Sequence, residues 1–217
     1  MQYTNVPTHQ NFIDGKFCDT DVHIEVRNPS TEALISYSPS SSQSDVDSAV
    51  NAARNAQVAW SRKPAIERAG YLKEIAAKIR EHVPHLAKVI AEEQGKILPL
   101  AEVEVNFTAD YLDYMAEWAR RIEGEVITSD RENENIFLLR KPVGVVAGIL
   151  PWNFPFFLIA RKMAPALVTG NTIVIKPSEE TPNNCHEFTK LLAETSLPKG
   201  VFNLVCGTGQ VGAQLSE

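Results

Sequence analysis

The chain has 217 residues, enough to bury a sizeable core as one large domain or as one domain with a satellite. Its 44% hydrophobic and 22% charged content is ordinary for a soluble globular protein, and a net charge of −6 excludes a footprint for nucleic acid or an anionic membrane. The first ten residues lack a signal peptide's basic and apolar regions, and no apolar run nears the roughly 18–20 residues that span a bilayer; a cytoplasmic protein is expected.

Asn11-Phe12-Ile13-Asp14-Gly15-Lys16-Phe17 places apolar residues on both sides of Asp-Gly, the signal of a hairpin with a type I′ turn. Ile24–Val26 extends this strand region until Asn28-Pro29 breaks it. Ser38–Ser44 reads as a Ser-rich loop entering a helix that Ser42 or Ser44 caps. In that helix Val46, Val50, Ala53 and Trp60 recur at helical spacing. A second helix opens at Pro64, with Ile66, Ala69, Leu72, Ala76, Ile79 and Val83 as its inner stripe. Pro84 restarts the chain into a third helix that ends near Gly95. The longest stripe is Leu100, Val103, Phe107, Tyr111, Tyr114, Trp118 and Ile122, closed by Gly124 and read as core packing rather than a cofactor box. Ile136–Arg140, set between polar Asp130–Asn135 and Lys141-Pro142, reads as a strand.

The rest of the chain serves residues 143–182. Val143–Leu150 is short and rich in Val, Ile and Gly, as a strand buried on both faces should be. After the turn Pro151-Trp152-Asn153-Phe154-Pro155, Phe156–Val168 is too long for one strand and stops at Gly170, so it reads as a helix. Thr172–Ile175 is a β-branched strand ending at Lys176-Pro177. Strand, helix and strand in this order form a βαβ unit with parallel strands, whose ligands bind beyond the strands' carboxyl ends. The pattern repeats in a helix over Asn183–Thr195 and a strand over Val201–Val205. Gly207-Thr208-Gly209-Gln210-Val211-Gly212 then has GxGxxG spacing, either a dinucleotide turn involving Gly209 and Gly212 or a structural glycine turn. The fold class is therefore α/β, an open, mostly parallel Rossmann-like sheet. Its parts are a hairpin and helical section (1–123), a small β segment (124–142) and a βαβαβ nucleotide-binding region (143–217).

Cys18, Cys185 and Cys206 are odd in number and widely spaced, which suggests small buried thiols rather than a disulfide framework or a metal site. His82 and His85 lack a third ligand, and neighbouring Cys185 and His186 cannot face each other on a helix. Asn153 offers a side-chain N–H to developing negative charge, although an Asn in a turn is also an ordinary turn former. Glu179 suits both ribose hydroxyls and would repel a 2′-phosphate, favouring NAD; the bland alternative is a surface ion pair between Lys176 and Glu179. Phe157 and Arg161 follow Asn153 at helical spacing, so Arg161 reaches either a polar substituent of a small substrate or an internal carboxylate.

GILPWNFP, ALVTGNTIVIKPSE and GVFNLVCGTG resemble the NAD(P)-dependent aldehyde dehydrogenase superfamily over almost the whole chain. EVEVNFTADYLDYMAEWARR and PWNFPFFLIARKMAPAL look most like its lactaldehyde/glycolaldehyde branch. The resemblance implies oxidation of a small hydroxyaldehyde to its acid with NAD, with succinate semialdehyde as an alternative substrate type. It implies that Asn153 holds the carbonyl oxygen and that Leu150, Pro151 and Trp152 line the nicotinamide side. Lys176, Pro177, Ser178 and Glu179 would hold the ribose, and residues 124–142 would form an arm for homo-oligomerisation, where the residues themselves equally allow an edge strand. The family's catalytic subunit is longer, and none of the three cysteines matches its nucleophile. The chain is therefore expected to be the truncated, cofactor-side part, inactive alone, or else a non-catalytic binding or scaffold relative.

Overall fold

The structure, a computed structural model, describes residues 6–217. Strands β1 (Asn11–Ile13) and β2 (Lys16–Cys18) form the expected hairpin, and its central residues Asp14 and Gly15 have φ of 50° and 73°, as a type I′ turn requires. Strand β3 (His23–Arg27) does not extend that hairpin. It pairs antiparallel with β4 (Leu34–Pro39) in a sheet of its own, so the Ser-rich segment begins as strand rather than loop. The cause is Asn28, whose side chain accepts from the N–H groups of Ser30 and Thr31 and turns the chain back.

Four helices follow: α1 (Gln43–Arg62), α2 (Ala65–Glu81), α3 (Val83–Gln94) and α4 (Leu98–Ala116). Ser42 caps α1 in a reciprocal box with Asp45. Gly95, at φ 78°, closes α3. Two inner stripes differ from expectation. On α2, Ile66 is exposed and Val83 lies beyond the helix, half-buried, while Ile75 and even Arg68 are buried. On α4 the aromatic stripe is mostly outward, and the buried face is Ala101, Glu104, Val105, Thr108, Ala109, Leu112 and Ala116. Small side chains let α4 lie close against α2 and α5, and the large ones at spacings of three and four fall on the opposite side. A 3-10 turn (Glu117–Arg120) ends it before Gly124.

Strands β5 (Glu125–Thr128) and β6 (Asn135–Leu138) pair only with each other, in a hairpin whose strand residues are all exposed; β6 is not an edge of the main sheet. Then come β7 (Val145–Ile149), α5 (Pro155–Val168), β8 (Thr172–Lys176), α6 (Asn183–Ala193), β9 (Phe202–Leu204) and α7 (Gly209–Ser216). The main sheet has the order β2-β1-β9-β8-β7, with β7, β8 and β9 parallel and the N-terminal hairpin antiparallel at the far edge. The open, mostly parallel α/β sheet is thus present. On β8, Ile173 and Ile175 point into the larger core beneath α5 and α6, while Val174 points into the smaller one beneath α1. It is the doubly buried strand. Strand β7 is not: only Gly148 is buried, because β7 is the last strand of the sheet and has one neighbour.

Candidate active site

Ile149, the last residue of β7, stands in register with Lys176, the last of β8, and the Leu150 N–H donates to the Lys176 carbonyl at 2.9 Å. The turn 151–154 and the loop 177–181 therefore leave the sheet side by side at its carboxyl rim. Leu150 is buried, whereas Pro151, Trp152 and Asn153 are exposed there.

An Asn one residue ahead of a helix N-cap ordinarily spends its side chain on the backbone. Here that work is done by other residues. Glu104, from the buried face of α4, accepts from the N–H groups of Phe156 and Phe157 at 2.9 and 3.1 Å, capping α5 from outside. Lys96 forms an ion pair with Glu104, donates to the Asn153 carbonyl at 3.2 Å, and sits 4.2 Å from the centre of the Phe154 ring. Gln94 Nε2 donates to the carbonyls of Trp152 and Asn153 at 3.1 and 2.9 Å. The Asn153 backbone is thereby held on two sides. Its side-chain amide makes no hydrogen bond among the described residues. Sequence reasoning missed Gln94, Lys96 and Glu104; the available signal was a carboxylate amid the small residues Ala101, Val105 and Ala109.

Beyond the turn, Phe157 is buried, with Phe107 at 4.6 Å and Tyr111 at 5.4 Å between ring centroids. Arg161, one helical turn further on, is exposed with its guanidinium 6.0 Å from the Phe157 ring. Among the described residues no carboxylate pairs with it, so the internal-partner alternative is not realised. Burial raises the Tyr111 phenol pKa, partly offset by Arg161 nearby.

On the other side of the turn, Lys176 Nζ lies 2.9 Å from Glu179 Oε2; the lysine is buried and the glutamate half-exposed. Burial draws the Glu179 carboxyl upward, but hydrogen bonds from Lys176 and from backbone N–H groups including Gly209 outweigh it and hold it below its usual range. Pro177 and Ser178 are buried beside them. Thr208 caps α7, and a Cβ on Gly209 would meet open space. At Gly212 a Cβ would make ordinary van der Waals contact with Ile149 at 3.7 Å, so the packing of α7 on β7 does not require a glycine there. Gly207, at φ 142°, is a structural turn residue whose Cβ would collide with Val211.

Cys185 and Cys206 are buried; burial raises the pKa of both, that of Cys206 to about 12. His186 Nε2 lies 3.7 Å from Cys206 Sγ rather than beside Cys185, and stacks on His9 at 4.4 Å. Burial, then the neighbouring His9 and Lys190, holds its pKa well below the ordinary value, so the contact joins a neutral imidazole to a neutral thiol. His82 and His85 have separate partners, the Lys78 carbonyl and Glu187.

The sequence profile of the aldehyde dehydrogenase family matches residues 17–217. The chain belongs to that family. Lactaldehyde dehydrogenase of Escherichia coli (strain K12) is 59% identical over 211 residues, which make up 96% of this chain and 44% of that protein. The 3,6-anhydro-alpha-L-galactose dehydrogenase of Vibrio sp. (strain EJY3) is 40% identical, over 93% of this chain and 42% of its own length. The crystal structure of the E. coli lactaldehyde dehydrogenase superposes with a TM-score of 0.95 at 58% identity, covering 97% of this chain and 45% of that one. A 3,6-anhydro-L-galactose dehydrogenase in complex with NAP superposes at 0.92 with 37% identity. The chain thus spans less than half the length of the relatives it matches. The rim of β7 and β8 carries the unbonded Asn153 carboxamide and the Lys176–Glu179 pair, and the rings of Phe107 and Tyr111 pack on Phe157 beyond the turn.

Proposed function

We propose that this chain supplies the cofactor side and the oxyanion donor of an enzyme that oxidises a small hydroxyaldehyde, lactaldehyde or glycolaldehyde, to its acid with NAD. The observation that carries the reading is Asn153: an exposed carboxamide on an anchored backbone, spared from local hydrogen bonding, at the carboxyl rim of a parallel sheet. The 59% identity with a lactaldehyde dehydrogenase supports the substrate class. In this reading Asn153 donates to the oxygen of the aldehyde as negative charge develops there. Phe157 forms an apolar wall, and the unpaired Arg161 binds the substrate hydroxyl or the product carboxylate. NAD, when bound, accepts the hydride. The half-exposed carboxylate of Glu179 takes the ribose hydroxyls with Lys176 beside it, while Leu150, Pro151 and Trp152 line the nicotinamide side and Pro177, Ser178, Gly209 and Gly212 leave room for the rest. The exposed β5–β6 hairpin serves as an association arm between copies.

The chain's own thiols are not the nucleophile in this reading. Cys206 faces a neutral imidazole in the core, Cys185 is equally buried, and Cys18 lies on β2 at the far edge of the sheet. The purified 217-residue chain is accordingly expected to bind NAD without forming NADH from glycolaldehyde or lactaldehyde. In an enzyme that contains this chain and turns over, Asn153→Ala is expected to lower kcat by about a hundredfold to a thousandfold with NAD affinity unchanged. Steady-state kinetics with glycolaldehyde, lactaldehyde and succinate semialdehyde decide it; unaltered kcat would reduce Asn153 to a turn residue.

A further inference from the structure

A side chain kept free for a ligand needs its local alternatives occupied by something else. Two sets of backbone groups are the usual local partners of an Asn placed just before a helix: the carbonyls of its turn and the first N–H groups of the helix. Both are taken. Gln94 and Lys96 hold the carbonyls of Trp152 and Asn153, while Glu104 holds the N–H groups of Phe156 and Phe157. Two of these residues carry charge, which makes their hydrogen bonds stronger than any the neutral carboxamide could offer in exchange. Lys96 and Glu104 are themselves paired, with side chains 12% and 1% exposed, so neither is readily drawn away by water. Gly95 makes the arrangement possible. Its left-handed conformation turns the chain sharply enough for Gln94, on the last turn of α3, and Lys96, just beyond it, to converge on one loop.

We propose that Gln94, Lys96 and Glu104 are positioning residues that keep the Asn153 carboxamide unoccupied and aimed outward, by filling the Trp152 and Asn153 carbonyls and the Phe156 and Phe157 N–H groups, to which it would otherwise fold back. This rests on the reading of Asn153 as the oxyanion donor, and it adds three residues on α3, its C-terminal turn and α4 to the machinery of that donor.

The test is made on the ligand-free chain, so that it does not depend on turnover. The Asn153 side-chain amide signals of the 15N-labelled chain, assigned by their loss in Asn153→Ala, are followed in Lys96→Met, Lys96→Arg and Gln94→Leu. In Lys96→Met and Gln94→Leu the carboxamide is expected to fold onto its own backbone, shifting both signals and slowing their exchange with water several-fold. Lys96→Arg, which retains a cation and its donors, is expected to restore the original pattern. If Lys96→Met does not fold, Gln94→Leu, which leaves no buried charge unpaired, decides by the same reading. Folded variants with lowered melting temperatures but unchanged Asn153 signals would overturn the proposal, since a merely structural contact affects stability alone. A normal rate in Asn153→Ala would instead remove the oxyanion role while leaving this result standing.

Discussion

Glu93 and Glu104 both hold the N-terminus of a helix, in different company. Glu104 has Lys96 beside it. Glu93 is fully enclosed and accepts from Asn183 N and from Asn184 N and Nδ2 at 2.6–2.8 Å, with no cation paired to it. Burial, reinforced by the charge of Glu104 and opposed by those hydrogen bonds, pushes its pKa from 4.5 up to about 7. Through this group the folded chain binds more protons than the unfolded one between these values, so its contribution to stability falls as pH rises from about 4.5 to about 7 and then levels off, against the contributions of the buried His9 and His186, whose lowered pKa values make stability rise with pH. In urea unfolding the Glu93 contribution is isolated by difference: between pH 5 and pH 7.5 the parent is expected to lose, relative to Glu93→Gln, on the order of 1–3 kcal/mol. The same pH dependence in variant and parent would show that Glu93 stays ionised throughout. Glu179 offers a second check at this scale. Glu179→Gln is expected to weaken NAD binding and narrow its advantage over NADP in calorimetry, and equal affinities in variant and parent would remove Glu179 from the ribose site. Asn153 and Glu179 were legible because each lies in a turn motif at a strand end. The carboxylates that cap α5 and α6 were not, since sequence does not say which distant helix end a buried Glu reaches.

Helix α5 is secured at both ends by groups from other helices. Glu104 holds its first N–H groups, and at the other end Trp60 Nε1 donates to the Leu167 carbonyl and Arg68 Nε to the Val168 carbonyl, each at 3.1 Å. An anion at the N-terminus and a cation at the C-terminus both oppose the helix dipole. Phe154 at the N-cap position contributes no side-chain bond, so the side-chain restraint at that end is tertiary. Glu104→Ala strips two N–H groups of their acceptor and leaves Lys96 half-stranded; it is expected to cost about 3 kcal/mol in chemical unfolding, and Glu104→Gln clearly less. A loss well under 1 kcal/mol would mean that water caps α5 as effectively. The βαβ elements were readable because apolar runs, glycine stops and prolines agree there. The stripe on α4 was misread, since Leu100, Val103 and Phe107 have helical spacing but Ala101, Val105 and Ala109 share that spacing one face away. Periodicity identifies a helix, and packing chooses which of two apolar faces is inside.

Among the described residues, three apolar surfaces face solvent. One is the open edge of β7 with Ile149, Trp152 and Phe154, another the outer face of α4 with Leu100, Val103 and Phe107, and the third the β5–β6 hairpin with Val126, Ile136 and Phe137. An unpaired edge strand and a contiguous apolar face both favour association. The 217-residue chain is expected to self-associate with rising concentration, little weakened by salt, and sedimentation velocity measures it. A monomer at high micromolar concentration in low salt would contradict the expectation. No helix among the described residues is long and apolar enough to cross a membrane.

The sequence by itself determined what is written in short-range pattern: the Asp-Gly hairpin, the capped helices, the βαβ unit and the motifs whose backbone geometry needs particular residues in a row. These are local because dihedral preference, capping and turn chemistry act within a few positions. Only the tertiary structure decided that β3 pairs with β4, that β7 is an edge and that the α4 aromatics face outward. The same holds for Asn153. Its place at the rim follows from the sequence, but the freedom of its side chain depends on Gln94, Lys96 and Glu104, some fifty to sixty positions away, occupying the backbone groups it would otherwise bind.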